Sequence, residues 1–142
     1  MNLRNILVTL TVAVTTSTVT ACALRQPADV LGYTECTSRG PRAWVNVRVI
    51  DTDDMMPIVA HERKHMEQMR RFESCAAFKT YSRTHQRELE SEEFCAAAAA
   101  HPRGLDFGIN KYAHWLANAY PALELSYDEA RVLIGIYCGA AL

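Results

Sequence analysis

Five residues, His61-Glu62-Arg63-Lys64-His65, restrict this chain more than any others, because they act together only if the backbone around them is an α-helix. Residues four apart on a helix are separated by about 400° of rotation and about 6 Å of rise, so both imidazoles leave one face, close enough to share a metal ion. Glu62 sits on the flank of that face, where its carboxylate can take a proton from an activated water without being a ligand. The neighbouring sequence agrees. From Ile58 to about Thr80 the chain is rich in helix formers, and Ile58, His65, Met69, Phe72 and Ala76 recur at three- and four-residue steps. His61 and His65 then lie on or beside the buried stripe, while Arg63 and Lys64 turn outward.

The elements on either side follow from local signals. Val45, Val47 and Val49 alternate with Trp44, Asn46, Arg48 and Ile50, which predicts a strand over Ala43 to Asp51. Asp51-Thr52-Asp53-Asp54 ends it and offers helix N-caps, and Pro57 suits a first helical turn. Ser82 or Thr84 can cap a second helix running to about Ala100, which His101-Pro102-Arg103-Gly104 ends. Gly104 to Tyr120 carries Phe107, Tyr112, Trp115 and Leu116 at helical spacing, with Pro121 as the stop. Ser126-x-x-Glu129 is a capping box, opening a last helix through Val132, Leu133, Ile136 and Tyr137 that ends at Cys138-Gly139. A mainly α fold is expected: one small helical domain, with a helical hairpin for the metal and one or two short strands. With 142 residues, 49% hydrophobic and 22% charged, the chain suffices for one core. Its formal charge of −1 excludes a general nucleic-acid binder, which needs a basic surface.

A zinc site built on two histidines needs a third protein ligand, commonly a carboxylate, and leaves a fourth position open for water. Glu88 follows His65 by 23 residues, enough for one helix to finish and an antiparallel one to return past the histidines. Glu88 and Glu92, four apart, share one side of that second helix. Glu88 is the expected third ligand of a single zinc ion and Glu92 the alternative. His85 and Glu90 are less favoured, since His85 would reach the site only if the helix were rotated.

These residues resemble the gluzincin class of zinc metallopeptidases, in which His-Glu-x-x-His is followed by a Glu on the next helix. Glu88-Leu89-Glu90-Ser91-Glu92 fits the class pattern in which the Glu ligand is followed four residues later by an acid. A related form reads Glu-x-x-Ala-Asp followed by an aromatic and a small residue, and Glu88, Ser91, Glu92, Phe94 and Cys95 fall in register with it. The run through Gln68 is also similar to small predicted secreted zinc proteases of bacteria. The likeness spans roughly residues 55–100 and implies a minimal zincin-like fold, peptide-bond hydrolysis with Glu62 as general base, and a peptide or protein substrate. It further implies Glu92 as the partner that orients His61, and Tyr112 or His114 as an oxyanion stabiliser. Arg63 and Lys64 depart from the uncharged residues usual at those positions, so the outer face of the helix is expected to be solvated or paired with acids such as Glu67. A non-catalytic periplasmic zinc-binding lipoprotein would need the same ligands but not Glu62, and a structural lipoprotein would need no metal.

The N-terminal part reads differently. Arg4, the apolar and threonine-rich Ile6 to Val14, and the small residues before Cys22 read as an export signal. Val19-Thr20-Ala21-Cys22 resembles the lipobox of bacterial lipoproteins. This implies cleavage after residue 21 and a membrane anchor on Cys22. Ala23 stands where many inner-membrane lipoproteins have Asp, which favours the outer membrane, facing the periplasm. Residues 1–21 are then a signal peptide, 22–41 a tether and irregular loop, and 42–142 the folded domain. Export suits the remaining cysteines, Cys36, Cys75, Cys95 and Cys138, which are even in number and lack CxxC spacing, so two disulfides are expected. Three pairings are open. If Cys75 lies near the turn of the hairpin and Cys95 near its open end, pairing those two is disfavoured, and Cys36 with Cys75 and Cys95 with Cys138 is the preferred arrangement.

Overall fold

The computed structural model describes residues 30–140 and begins with a β-hairpin. Strand β1 (Gly32–Thr37) pairs antiparallel with β2 (Gly40–Val45), in a register that sets Tyr33 opposite Trp44 and Cys36 opposite Pro41. β1 falls in the region expected to be an irregular loop, and Gly32, Gly40 and Pro41 are what hid it. Proline is tolerated here because a two-stranded sheet consists only of edge strands. The strand expected over Ala43 to Asp51 stops at Val45. Asn46 then caps a 3-10 turn (Val47–Val49), its side chain accepting from the Arg48 N–H at 3.0 Å. Val49 is therefore buried while Val47 points outward, so the valine alternation was not that of one strand.

Helix α1 (Met55–Met69) carries the histidines, with Pro57 in its first turn, where a missing N–H costs nothing. It ends sooner than the apolar periodicity suggested. Ser74 starts helix α2 (Cys75–Ala99), its hydroxyl accepting from the Ala77 N–H at 3.1 Å. The residues expected to cap this helix lie inside it. The Ser82 and Thr84 hydroxyls bond back to the carbonyls of Lys79 and Tyr81, and the backbone kinks at His85 (φ −123°, ψ 23°). Hydroxyls bonded back into the preceding turn bend helices, and here they mark a bend and not a start.

Helices α3 (Leu105–Ala119) and α4 (Tyr127–Cys138) lie where expected, joined by a 3-10 turn (Pro121–Leu123). The capping box of Ser126 and Glu129 is present, and Gly139 closes α4 in the left-handed region (φ 63°). α2 packs against α1, α3 and α4. Phe94, Ala97 and Ala98 of α2 meet Ile109, Tyr112 and Leu116 of α3 and Ile134 of α4 in the core. At the α2–α3 crossing a Cβ on Gly108 would lie 2.6 Å from the Ala98 Cα, so only glycine permits this approach. The fold is mainly helical with one small sheet, as expected.

Two disulfides, Cys36–Cys75 and Cys95–Cys138, have Cα separations of 5.7 and 5.4 Å. They are the preferred pairing. The first ties β1 to the start of α2, and the second ties the end of α2 to α4. Residues 1–21, Cys22 and the rest of the tether up to residue 29 lie outside the described residues. No helix among the described residues is long and apolar enough to cross a membrane.

Candidate metal centre

His61 and His65 project from one face of α1 with ring centroids 4.9 Å apart, the arrangement that four-residue helical spacing demands. His61 also packs on Phe94 of α2 at 4.7 Å. Burial chiefly, aided by the neighbouring imidazole, lowers the His61 pKa to about 3, and burial lowers that of His65. Both rings are thus neutral at physiological pH, the form that binds metals.

The carboxylates facing them belong to Glu90 and Glu93. One donor atom from each of His61, His65, Glu90 and Glu93 lies within 4.8 Å of the others. Glu93, fully buried, places Oε1 2.5 Å from His65 Nδ1 and Oε2 4.0 Å from His61 Nε2. These are not ion pairs, since burial makes the imidazoles neutral and drives the Glu93 carboxyl well above its usual range. Glu90 is raised to about 8, first by burial and then by Glu93. Tyr120 lies beside Glu90, yet Glu90 Oε2 and both Glu93 oxygens lack any donor with hydrogen-bond geometry. Two adjacent buried carboxyls need either a shared proton or a cation. With two neutral imidazoles aimed at them, the donor set could hold a metal ion.

Glu88, the expected third ligand, is exposed and lies beside Arg71, Tyr81 and Tyr137, away from the histidines. Glu92 does not orient His61. It takes Lys64 Nζ at 2.9 Å, Arg71 Nη2 at 3.0 Å and Gln68 Nε2 at 2.9 Å. Its burial is outweighed by these bonds, which pull its pKa down to about 2. His85 is spent at the kink, with Nδ1 3.0 Å from the Tyr81 carbonyl. The early start and bend of α2 changed the phase, and a sequence signal for the result exists. Glu90, Glu93, Phe94 and Ala97 recur at i, i+3, i+4 and i+7, so these two glutamates lie on the buried stripe of α2, whereas Glu88 and Glu92 flank it. Arg63 is exposed and pairs with Glu67 at 3.3 Å, as expected for the outer face of α1.

Glu62 is buried but is not among the four clustered donors. The Thr34 hydroxyl of β1 donates to its Oε2 at 2.6 Å, and Gly32 admits it, since a Cβ there would lie 2.8 Å from Glu62 Cγ. Burial raises the Glu62 pKa, against the Thr34 hydrogen bond and the neighbouring His65, which lower it. A cavity of about 490 Å³ opens beside His61, Glu62 and His65, with Phe94, Trp115 and Tyr120 in its walls. Tyr112 also reaches the cavity, but its hydroxyl is bonded to Asp54 at 3.2 Å. His114 is exposed and stacks on Tyr127, outside the cavity. Tyr120, which carries no motif signal in the sequence, lines the cavity beside Glu90.

No protein-family model, curated protein or solved structure matches this chain.

Proposed function

We propose that this protein is a zinc-dependent peptidase of the bacterial envelope, anchored by a lipid at Cys22. The observation that carries the reading is the buried, donorless Glu93 carboxylate set against the neutral His61 and His65 imidazoles. Hydrolysis is supported by the position of Glu62, which shares an apolar-walled cavity with both histidines and is fixed by Thr34. His61, His65 and Glu93 would hold the ion, and Glu90, beside Tyr120, would support them or complete the set.

A zinc ion held there would supply Lewis acidity for a peptide carbonyl and lower the pKa of a water toward ~7. Glu62 takes the proton of the attacking water and returns it to the leaving amine, a role its raised pKa favours. Thr34 keeps the Glu62 carboxylate in one orientation during both transfers. Tyr120, in the cavity wall beside Glu90, would donate to the carbonyl oxygen as its charge grows. The apolar walls exclude water and receive a substrate side chain.

The clustering of four protein donors favours a second reading, in which all four close the coordination and the site only holds zinc. Two variants separate the readings. In a peptidase, Glu62→Gln keeps stoichiometric zinc and lowers turnover about 10²–10⁴-fold, and Glu90→Gln keeps the metal. In a closed site Glu90→Gln loses zinc, and the Glu62 variant behaves like wild type. Wild-type protein that binds no zinc overturns both.

A further inference from the structure

The hairpin carries a second surface, which meets the cavity of the metal centre at Tyr33. Thr34 and Cys36 point inward, to Glu62 and Cys75, so the strand alternation turns Tyr33, Glu35, Arg42 and Trp44 outward, with Glu35 opposite Arg42 and accepting from the Tyr33 hydroxyl at 3.2 Å. Tyr33 and Trp44 stand opposite each other in the register, and Trp44 is 51% exposed. Val47, 75% exposed, and Ile50 follow in the chain, before Asp51 and Asp53 bring acidic groups. Arg39, Arg42 and Arg48 are the exposed cations of the same stretch. Large apolar and aromatic side chains interleaved with arginines match the membrane–water interface, where rings sit at headgroup depth and guanidiniums meet lipid phosphates.

The tether narrows the choice of partner. Cys22 lies eight residues before Val30, and such a segment spans at most about 30 Å. β1 starts two residues further on, so the hairpin stays close to whatever membrane holds a lipid on Cys22. We infer that the outer face of the hairpin docks on an anionic lipid surface, with Tyr33 and Trp44 at headgroup depth and Arg39 and Arg42 on lipid phosphates. The inference rests on the lipid anchor of the reading above and not on its metal. Docking of this kind sets the orientation of the domain, because Tyr33 also lines the cavity beside His61 and His65.

The test uses the full chain expressed with its own leader, its lipid checked by intact mass. The protein is placed in vesicles of phosphatidylethanolamine and phosphatidylglycerol brominated at a shallow acyl position. Trp44 and Trp115 are the two tryptophans, so Trp115→Phe isolates Trp44, and Trp115→Tyr is a second background should phenylalanine disturb the fold. Trp44 emission is expected to fall at least about twofold in the brominated vesicles, and Arg39→Glu with Arg42→Glu should remove most of that quenching. Zinc content, measured alongside, should be the same in the arginine variants as in their Trp115-substituted parent, which separates failure of docking from failure of the metal site. Unquenched Trp44 overturns the inference and leaves the face to a protein partner. Quenching unchanged by the arginine substitutions, or a chain without lipid on Cys22, overturns it as well.

Discussion

Glu93 Oε1 lies 2.5 Å from His65 Nδ1, yet burial keeps the imidazole neutral and raises the carboxyl, so the two face each other without forming an ion pair. Groups in that relation are joined by a proton or bridged by a cation. Metal binding should therefore depend on Glu93 and be indifferent to the exposed Glu88. Glu93→Gln is expected to weaken zinc binding by more than the ~10–100-fold typical of losing a group that only supports a ligand. Glu88→Gln should leave the affinity unchanged. Calorimetric titration of chelator-stripped protein measures both, and equal losses would place the ion elsewhere.

Thr34 holds Glu62 through one short hydrogen bond from the neighbouring strand. A bond to a charged group contributes about 1.5–3 kcal/mol, so Thr34→Val should lower kcat at least about tenfold. Zinc affinity should not change, and Thr34→Ser should restore the rate. A rate lost together with zinc would mean that β1 supports the ligands and not the base.

Gly108 fits against the backbone of Ala98 with no room for a methyl group. Gly108→Ala should destabilise the domain by about 1–3 kcal/mol through overpacking, and thermal unfolding should show a lower Tm. An unchanged Tm would show that α3 can slide along α2.

The acid limb of stability should involve the capping box. The Ser126 N–H and hydroxyl donate to Glu129 at 2.9 and 2.7 Å, which holds its carboxyl below the usual range. A depressed carboxyl stabilises the fold above its unfolded pKa of about 4.3, and this contribution disappears as pH falls through the lower folded value. Ser126→Ala should cost about 1 kcal/mol at neutral pH by removing the cap of α4. Denaturant midpoints at pH 7 and pH 3 are expected to converge for wild type and Glu129→Gln as the acid protonates.

Much of the helical frame was legible because its signals are local. Ser126 and Glu129 announce α4 within four residues, and the motif histidines require α1. The start of α2 was missed because Phe72 and Ala76 continue the apolar rhythm of α1, while a serine before a cysteine is a weak cap signal. Ser82 and Thr84 carry the same hydroxyls as true caps, and only the tertiary path turns them into a bend. The position of the carboxylates that face the histidines has the same cause. The phase of α2 decides whether Glu88 and Glu92 or Glu90 and Glu93 face inward, and that phase depends on where the helix begins. A buried glutamate pair among Phe94 and Ala97 contradicts ordinary amphipathic patterning, which is why it reads as solvated until the cation-binding need is considered.

The close approach of Gly108 to Ala98 has a consequence well away from the crossing itself. α2 and α3 run in opposite directions from this point, and twelve residues further along, Tyr120 meets Glu90. The arm from Gly108 to Tyr120 is about 18 Å long, so a small tilt at the crossing becomes a displacement of the tyrosine hydroxyl comparable to a hydrogen-bond length. The glycine acts as the fulcrum of a lever whose far end is the candidate site, and precision there is set by a residue that never touches it.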